Sequence, residues 1–168
     1  MVGPKKRGYT LVELMITVAI LGILTTVAAP MMMQITNFWR LTSARYAIQR
    51  DVRTSLDMMN RFTRQAQAAT VVIDNAPGQP PLSRLKFNYV NASGEDVVMY
   101  FYQNGKDLYM NNNGNVRVLS SNLAYIAFTY PRTDDTSIIS IAMTMQSPTY
   151  RGGKKALQLS IQKVRIMN

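Results

Sequence analysis

From Leu14 to Trp39 the chain carries no charged side chain, an apolar run of 26 residues. A helix of that length measures ~39 Å at ~1.5 Å per residue, enough to cross a ~30 Å hydrocarbon layer with some tilt. Lys5, Lys6 and Arg7 precede the run. By the positive-inside rule they place the N-terminus in the cytosol and the rest of the chain beyond the membrane. With 168 residues in all, the remainder is the size of one globular unit and leaves no room for a second full core.

Two ordinary explanations of such a run meet the same obstacle. Val27-Ala28-Ala29 resembles the small-residue cleavage site of a secretory signal. Pro30 follows it directly, however, and Glu13 stands at the start of the apolar segment. A plain single-pass anchor leaves that carboxylate without a partner in a setting where ionisable groups are costly.

Composition narrows the function from another side. There is no cysteine and no histidine, which removes thiol nucleophiles, imidazole bases, disulfide frameworks and zinc sites of the Cys/His kind. No glycine-rich phosphate loop or paired-carboxylate spacing is present, so the sequence reads as a non-enzyme without a cofactor. The net charge of +10 suits an anionic partner, and its distribution decides which.

The string Gly8-Tyr9-Thr10-Leu11-Val12-Glu13-Leu14, with the basic leader before it and the apolar run after it, resembles the prepilin signature of type IV pilins and type II secretion pseudopilins. The resemblance implies that a membrane prepilin peptidase cuts after Gly8 and that Tyr9 becomes a methylated N-terminus, where the family usually has phenylalanine. It also makes Glu13 the family's assembly carboxylate and sets Gly22 and Pro30 where the helix kinks. The expected organisation is a leader over 1–8, a transmembrane and assembly helix over 9–36, and a pilin-like globular domain over 37–168. The expected location is the cytoplasmic membrane, then a pilus or pseudopilus fibre of pilin subunits joined through their N-terminal helices. The chemistry is consistent with this role. Cleavage would create an amine at Tyr9 one helical turn from Glu13, and the same carboxylate could meet a neighbour's amine and so set the register between subunits.

Beyond the run, Phe38, Leu41, Ile48, Val52, Leu56, Met59, Phe62 and Ala66 recur mostly at spacings of three or four, which predicts an amphipathic continuation of the helix. Gly and Pro are absent from Met31 to Asn75. One helix from about Tyr9 to Ala69, ~90 Å long and interrupted only at Pro30, is therefore expected. Arg40, Arg45, Arg50, Arg53, Arg61 and Arg64 mark its outer side, and Asp57 is spaced to pair with Arg53 or Arg61. The stripe reads first as a solvated or helix-facing surface. The sharper alternative is a pilin specialised for DNA capture in a competence system, with Arg53 and Arg61 as candidate phosphate contacts.

After Ala69 the pattern becomes short alternating segments separated by turn residues: Leu85–Tyr89, Val97–Tyr102, Leu108–Met110, Val116–Leu119, Leu123–Tyr130, Ile138–Met145 and Ala156–Arg165. The connections are mostly too short for helical crossovers, so the fold class is α+β, a long N-terminal helix packed on one antiparallel meandering sheet. Within the family, Asp51–Ala66 and the strand pair Leu123–Tyr130 and Ile138–Gln146 resemble J-type pseudopilins and W-type pilins. Asp134-Asp135 is the one adjacent acidic pair, a weak calcium candidate because calcium takes oxygen ligands. The methionine clusters read as apolar filler.

Overall fold

The computed structural model describes residues 8–149 and 155–167. The basic cluster Lys5-Lys6-Arg7 and the rest of the expected leader up to residue 7 lie outside the described residues. The chain divides into two compact units, one up to Arg40 and one from Leu41.

A single helix, α1 (Leu11–Thr63), passes from the first unit into the second and runs unbroken through Gly22 and Pro30. In the first unit every residue from Gly8 to Arg40 is exposed. This includes Phe38 and Trp39, each 71% exposed, so Phe38 does not join the buried stripe that the spacing suggests. In the second unit α1 buries Ala44, Ile48, Val52, Ser55, Leu56, Met59 and Thr63, a three-and-four spacing that makes one face. Ala44, absent from the stripe read in the sequence, bridges the gap between Leu41 and Ile48.

The helix ends at Thr63, six residues before the expected Ala69. Tertiary pairing overrides helix propensity there. Ala66 forms a bridge with Tyr89, and the Gln67 N–H donates to the Asn88 carbonyl at 2.8 Å. A short 3-10 turn (Ala68–Thr70) and an edge strand β1 (Val72–Asp74), which the sequence reading had not marked, follow.

The strand half forms two antiparallel sheets where one was expected. The first is the meander β1-β2-β3-β4-β5, with β2 (Arg84–Val90), β3 (Asp96–Asn104), β4 (Asp107–Asn112) and β5 (Asn115–Ser120). The second is β6-β7-β8, with β6 (Leu123–Thr129), β7 (Ile138–Pro148) and β8 (Lys155–Arg165). The β4–β5 hairpin turns on Asn113 and Gly114, both at positive φ (49° and 87°). That is the Asn-Gly chemistry a two-residue hairpin needs, because its twist requires left-handed backbone at both positions.

One apolar core joins these elements. Leu85, Phe87, Met99, Phe101 and Leu108 of the first sheet and Leu123, Ile126, Phe128, Ile139, Ile141, Met143 and Met145 of the second are fully buried with the α1 stripe. Met59, Met99, Met143 and Met145 do act as apolar filler; Met31, Met32 and Met33 instead lie exposed on the first unit. Phe62 packs its ring edge-on to Tyr89 at 5.5 Å. Asp51 accepts hydrogen bonds from Ser120 Oγ (3.2 Å) and Asn122 Nδ2 (3.0 Å), fastening α1 to the β5–β6 junction. Gln103, 3% exposed, crosses between the sheets. Its Nε2 donates to the Gly105 carbonyl at 2.8 Å, and its Oε1 accepts the Ile126 N–H at 3.2 Å.

Candidate functional site: the head of the apolar helix

The N-terminal end of α1 is built by its own sequence. Thr10 is the cap: its carbonyl accepts the first helical hydrogen bond, from Leu14 N at 3.2 Å. The Glu13 N–H donates to Thr10 Oγ1 at 3.3 Å. In return, Glu13 Oε2 accepts from Thr10 N (2.8 Å) and Thr10 Oγ1 (3.0 Å). This reciprocal pattern is a capping box, which satisfies backbone donors that a helix N-terminus leaves without partners. The carboxylate also sits at the positive end of the helix dipole.

Glu13 is therefore not without a partner in the uncut chain, contrary to the expectation from sequence. The signal was legible in Thr10-Leu11-Val12-Glu13, a Thr-x-x-Glu string before an apolar run, and Thr10 is the functional residue that the reading of the sequence passed over. Tyr9, just upstream, is 89% exposed. Gly8 is exposed, with nothing within 4 Å of where a Cβ would stand. Both Thr10 bonds use Oε2, which leaves Oε1 for another donor. The Thr10 N–H stays an amide whether or not the chain is cut after Gly8, so the box is compatible with either form.

The helix that follows is long and apolar enough to cross a membrane. Gly22 is exposed within it and has open space around it. The family description "prokaryotic N-terminal methylation motif" matches residues 3–29. The chain carries the type IV pilin and pseudopilin signature. No curated protein and no solved structure matches it. The pilin signature supports a pilin-like or pseudopilin subunit, a structural rather than an enzymatic role, and association with other pilin subunits and a prepilin peptidase in general. Together with the apolar helix it suggests membrane anchoring.

The other candidate residues do not converge on the pilin signature. Arg50, Arg53 and Arg61 are exposed on α1, and Arg64 is exposed just past its end. Among the described residues the ion pairs are Arg50–Asp51 (3.6 Å) and Arg84–Asp74 (2.5 Å), so Asp57 closes on neither Arg53 nor Arg61. Arg61 instead lies over the Phe62 ring, 5.8 Å from its centre.

Asp134 is exposed, and Asp135 is engaged in its own turn. It accepts from Ser137 N and Ser137 Oγ. These bonds hold its carboxyl below the usual carboxylate range, with smaller help from Arg165 and Arg132. Among the described residues no three acidic side chains gather as a metal site.

Proposed function

We propose that the protein is a non-enzymatic minor pilin or pseudopilin subunit, cut by prepilin peptidase between Gly8 and Tyr9, methylated at Tyr9, and assembled through its N-terminal helix into a type IV pilus or type II secretion pseudopilus. The observation that carries this reading is the motif match over residues 3–29 at the head of a helix whose residues are exposed from Leu11 to Arg40. An apolar helix exposed all round must be covered by lipid, by other helices, or by each in turn. The domain plan is a leader over 1–8, an anchoring and packing helix over 9–36 and a globular domain over 37–168. Gly22 and Pro30 are the positions where that helix can bend as subunits pack, since Pro30 removes one backbone donor.

The capping box supports a particular division of labour in Glu13. Oε2 stays on Thr10, and Oε1 takes the amine of Tyr9 or of a neighbouring subunit. The membrane orientation follows from the basic leader: N-terminus in the cytosol, globular domain outside it.

The test is the intact mass of the protein extracted from membranes of cells with active prepilin peptidase. Loss of residues 1–8 and gain of one methyl group are expected. Gly8→Val is expected to keep the leader, because a β-branched side chain blocks the approach to that peptide bond. Retention of the full leader in the parent protein would overturn the proposal.

A further inference from the structure

The outer face of the first sheet carries an aromatic and aliphatic patch. Along β2 to β4 the residues of one parity, Leu85, Phe87, Met99, Phe101 and Met110 among them, are buried in the core. The alternate residues therefore stand on the opposite side. The register sets them in two rows across the strands, Lys86–Tyr100–Asn111–Val116 and Arg84–Tyr102–Tyr109–Val118. The three tyrosines are half-buried, and Val116 and Val118 are 48% and 51% exposed. Tyr102 and Tyr109 stack at 5.3 Å with their planes 13° apart, and the Lys86 ammonium lies 5.6 Å from the centre of the Tyr100 ring. Each ring is held by a neighbour, which lowers the entropy cost of using it to bind. Scattered exposed apolar residues need no explanation, but a contiguous patch on one face does.

Charge selects among the candidate occupants. The chain as a whole has a net charge of +10, but this face does not share it. Its strands present two basic side chains, Arg84 and Lys86, against three acidic ones, Asp74, Asp96 and Asp107, and the flanking turns add Lys106 and Glu95. Arg117 pairs with Met110 and so belongs to the opposite side. Most of these charges are already engaged: Asp74 with Arg84 Nε at 2.5 Å, Asp96 with Gln67 Nε2 at 2.8 Å, and Asp107 with the Tyr109 hydroxyl at 3.3 Å. A nucleic acid or other polyanion needs an excess of cations, and this face has none to give. The centre of a protein interface is depleted of charge, whereas Arg84 and Lys86 stand directly beside the rings. The surface matches an uncharged ligand with apolar C–H faces bounded by hydroxyls, which accept from Arg and Lys and donate to Asp. Asn111 adds an amide donor, since its Oδ1 takes the Gly114 N–H at 2.8 Å and leaves Nδ2 for a ligand.

We propose that the outer face of β1-β2-β3-β4-β5 binds one chain of an uncharged polysaccharide. The Tyr102–Tyr109 pair, Tyr100 and Val118 meet the C–H surfaces of its sugar rings, and Lys86, Arg84 and Asn111 donate to its hydroxyls. A sheet face five strands wide is extended rather than enclosed, so it suits a chain of sugars better than a single one.

The test is co-sedimentation of the full-length protein, held in a zwitterionic detergent that has no sugar headgroup, with insoluble cellulose, chitin and starch. Saturable retention on at least one of the three is expected, unchanged by added salt because the ligand carries no charge. Tyr102→Ala should raise the half-saturating amount of polysaccharide about tenfold, the loss of one aromatic anchor. Val118→Asp, at the exposed end of the same row, should weaken retention too and carries the test if Tyr102→Ala fails to fold. Tyr46→Ala, an exposed tyrosine on α1, should change nothing. Retention on none of the three polysaccharides overturns the proposal, and so does retention that Tyr102→Ala and Val118→Asp leave at the parent level. Salt-sensitive capture of heparin or single-stranded DNA that depends on Lys86 would assign the face to a polyanion instead. Self-association of the parent that Val118→Asp abolishes would show that a second copy covers the face, and would equally overturn the proposal.

Discussion

Replacing Gln103 by methionine isolates the polar link between the two sheets, because methionine nearly matches the shape of glutamine and offers no strong donor or acceptor. Gln103 is 3% exposed, and Ile126, whose N–H it accepts, is fully buried. The Gly105 carbonyl belongs to an exposed turn and can turn to water, so the main loss falls on the Ile126 N–H. Leaving a buried donor without an acceptor costs about 1–3 kcal/mol, and the lost bonds to the Gly105 and Ala124 carbonyls add little. A domain of this size shifts by roughly 3–5 °C per kcal/mol, so Gln103→Met should lower the melting temperature by about 3–15 °C. The assay is thermal unfolding of the detergent-solubilised protein followed by near-ultraviolet circular dichroism, with Gln162→Met on β8 as the control expected to shift by less than about 2 °C. Equal, small shifts for the two variants would refute the claim that Gln103 joins the sheets.

Glu13→Gln should insert in the membrane at least as well as the parent but form fewer crosslinks between subunits at equal membrane levels, because the amide can still accept from Thr10 but offers an amine no charge. Thr10→Val, which removes the hydroxyl half of the box and keeps the carboxylate, should fall between them; parent-like crosslinking by Glu13→Gln would exclude an assembly role for the charge. Hydrogen bonding from Arg84 holds the Asp74 carboxyl below the usual carboxylate range. A depressed carboxylate stabilises the fold above its unfolded value near pH 4, and the contribution disappears as pH falls through the lower folded value. Asp74→Asn should therefore lower the melting temperature modestly at pH 7 and much less near pH 3, which a pH series of melts would show. A fragment beginning at Thr36 should be soluble with mixed helix and strand circular dichroism, and should retain little duplex DNA at low salt; saturable retention lost with Arg53→Ala and Arg61→Ala would instead favour the DNA-capture reading.

The head of the chain was legible because everything there is local. Lys5-Lys6-Arg7, Gly8, Glu13 and the uncharged run follow one another closely, and even the overlooked capping box spans only Thr10 to Glu13. Helix periodicity likewise marked Ile48, Val52, Leu56 and Met59 as one buried face, since a side chain's place on a helix follows from its number. Alternation and turn chemistry marked most strands for the same reason. What the sequence alone could not decide is which neighbours those faces meet. The β2 ladder, through Asn88 and Tyr89, captures Ala66 and Gln67 and ends the helix at Thr63. Gln103, polar in the midst of an apolar strand, is satisfied in its burial by Gly105 in the turn of its own sheet and by Ala124 and Ile126 across the sheet boundary. In β8, Leu157, Leu159 and Ile161 alternate with polar residues as any half-buried strand would, yet pairing with β7 turns the polar set toward Met143 and Met145 and the apolar set outward. Alternation fixes that two faces differ; only the register with a partner strand decides which one is buried.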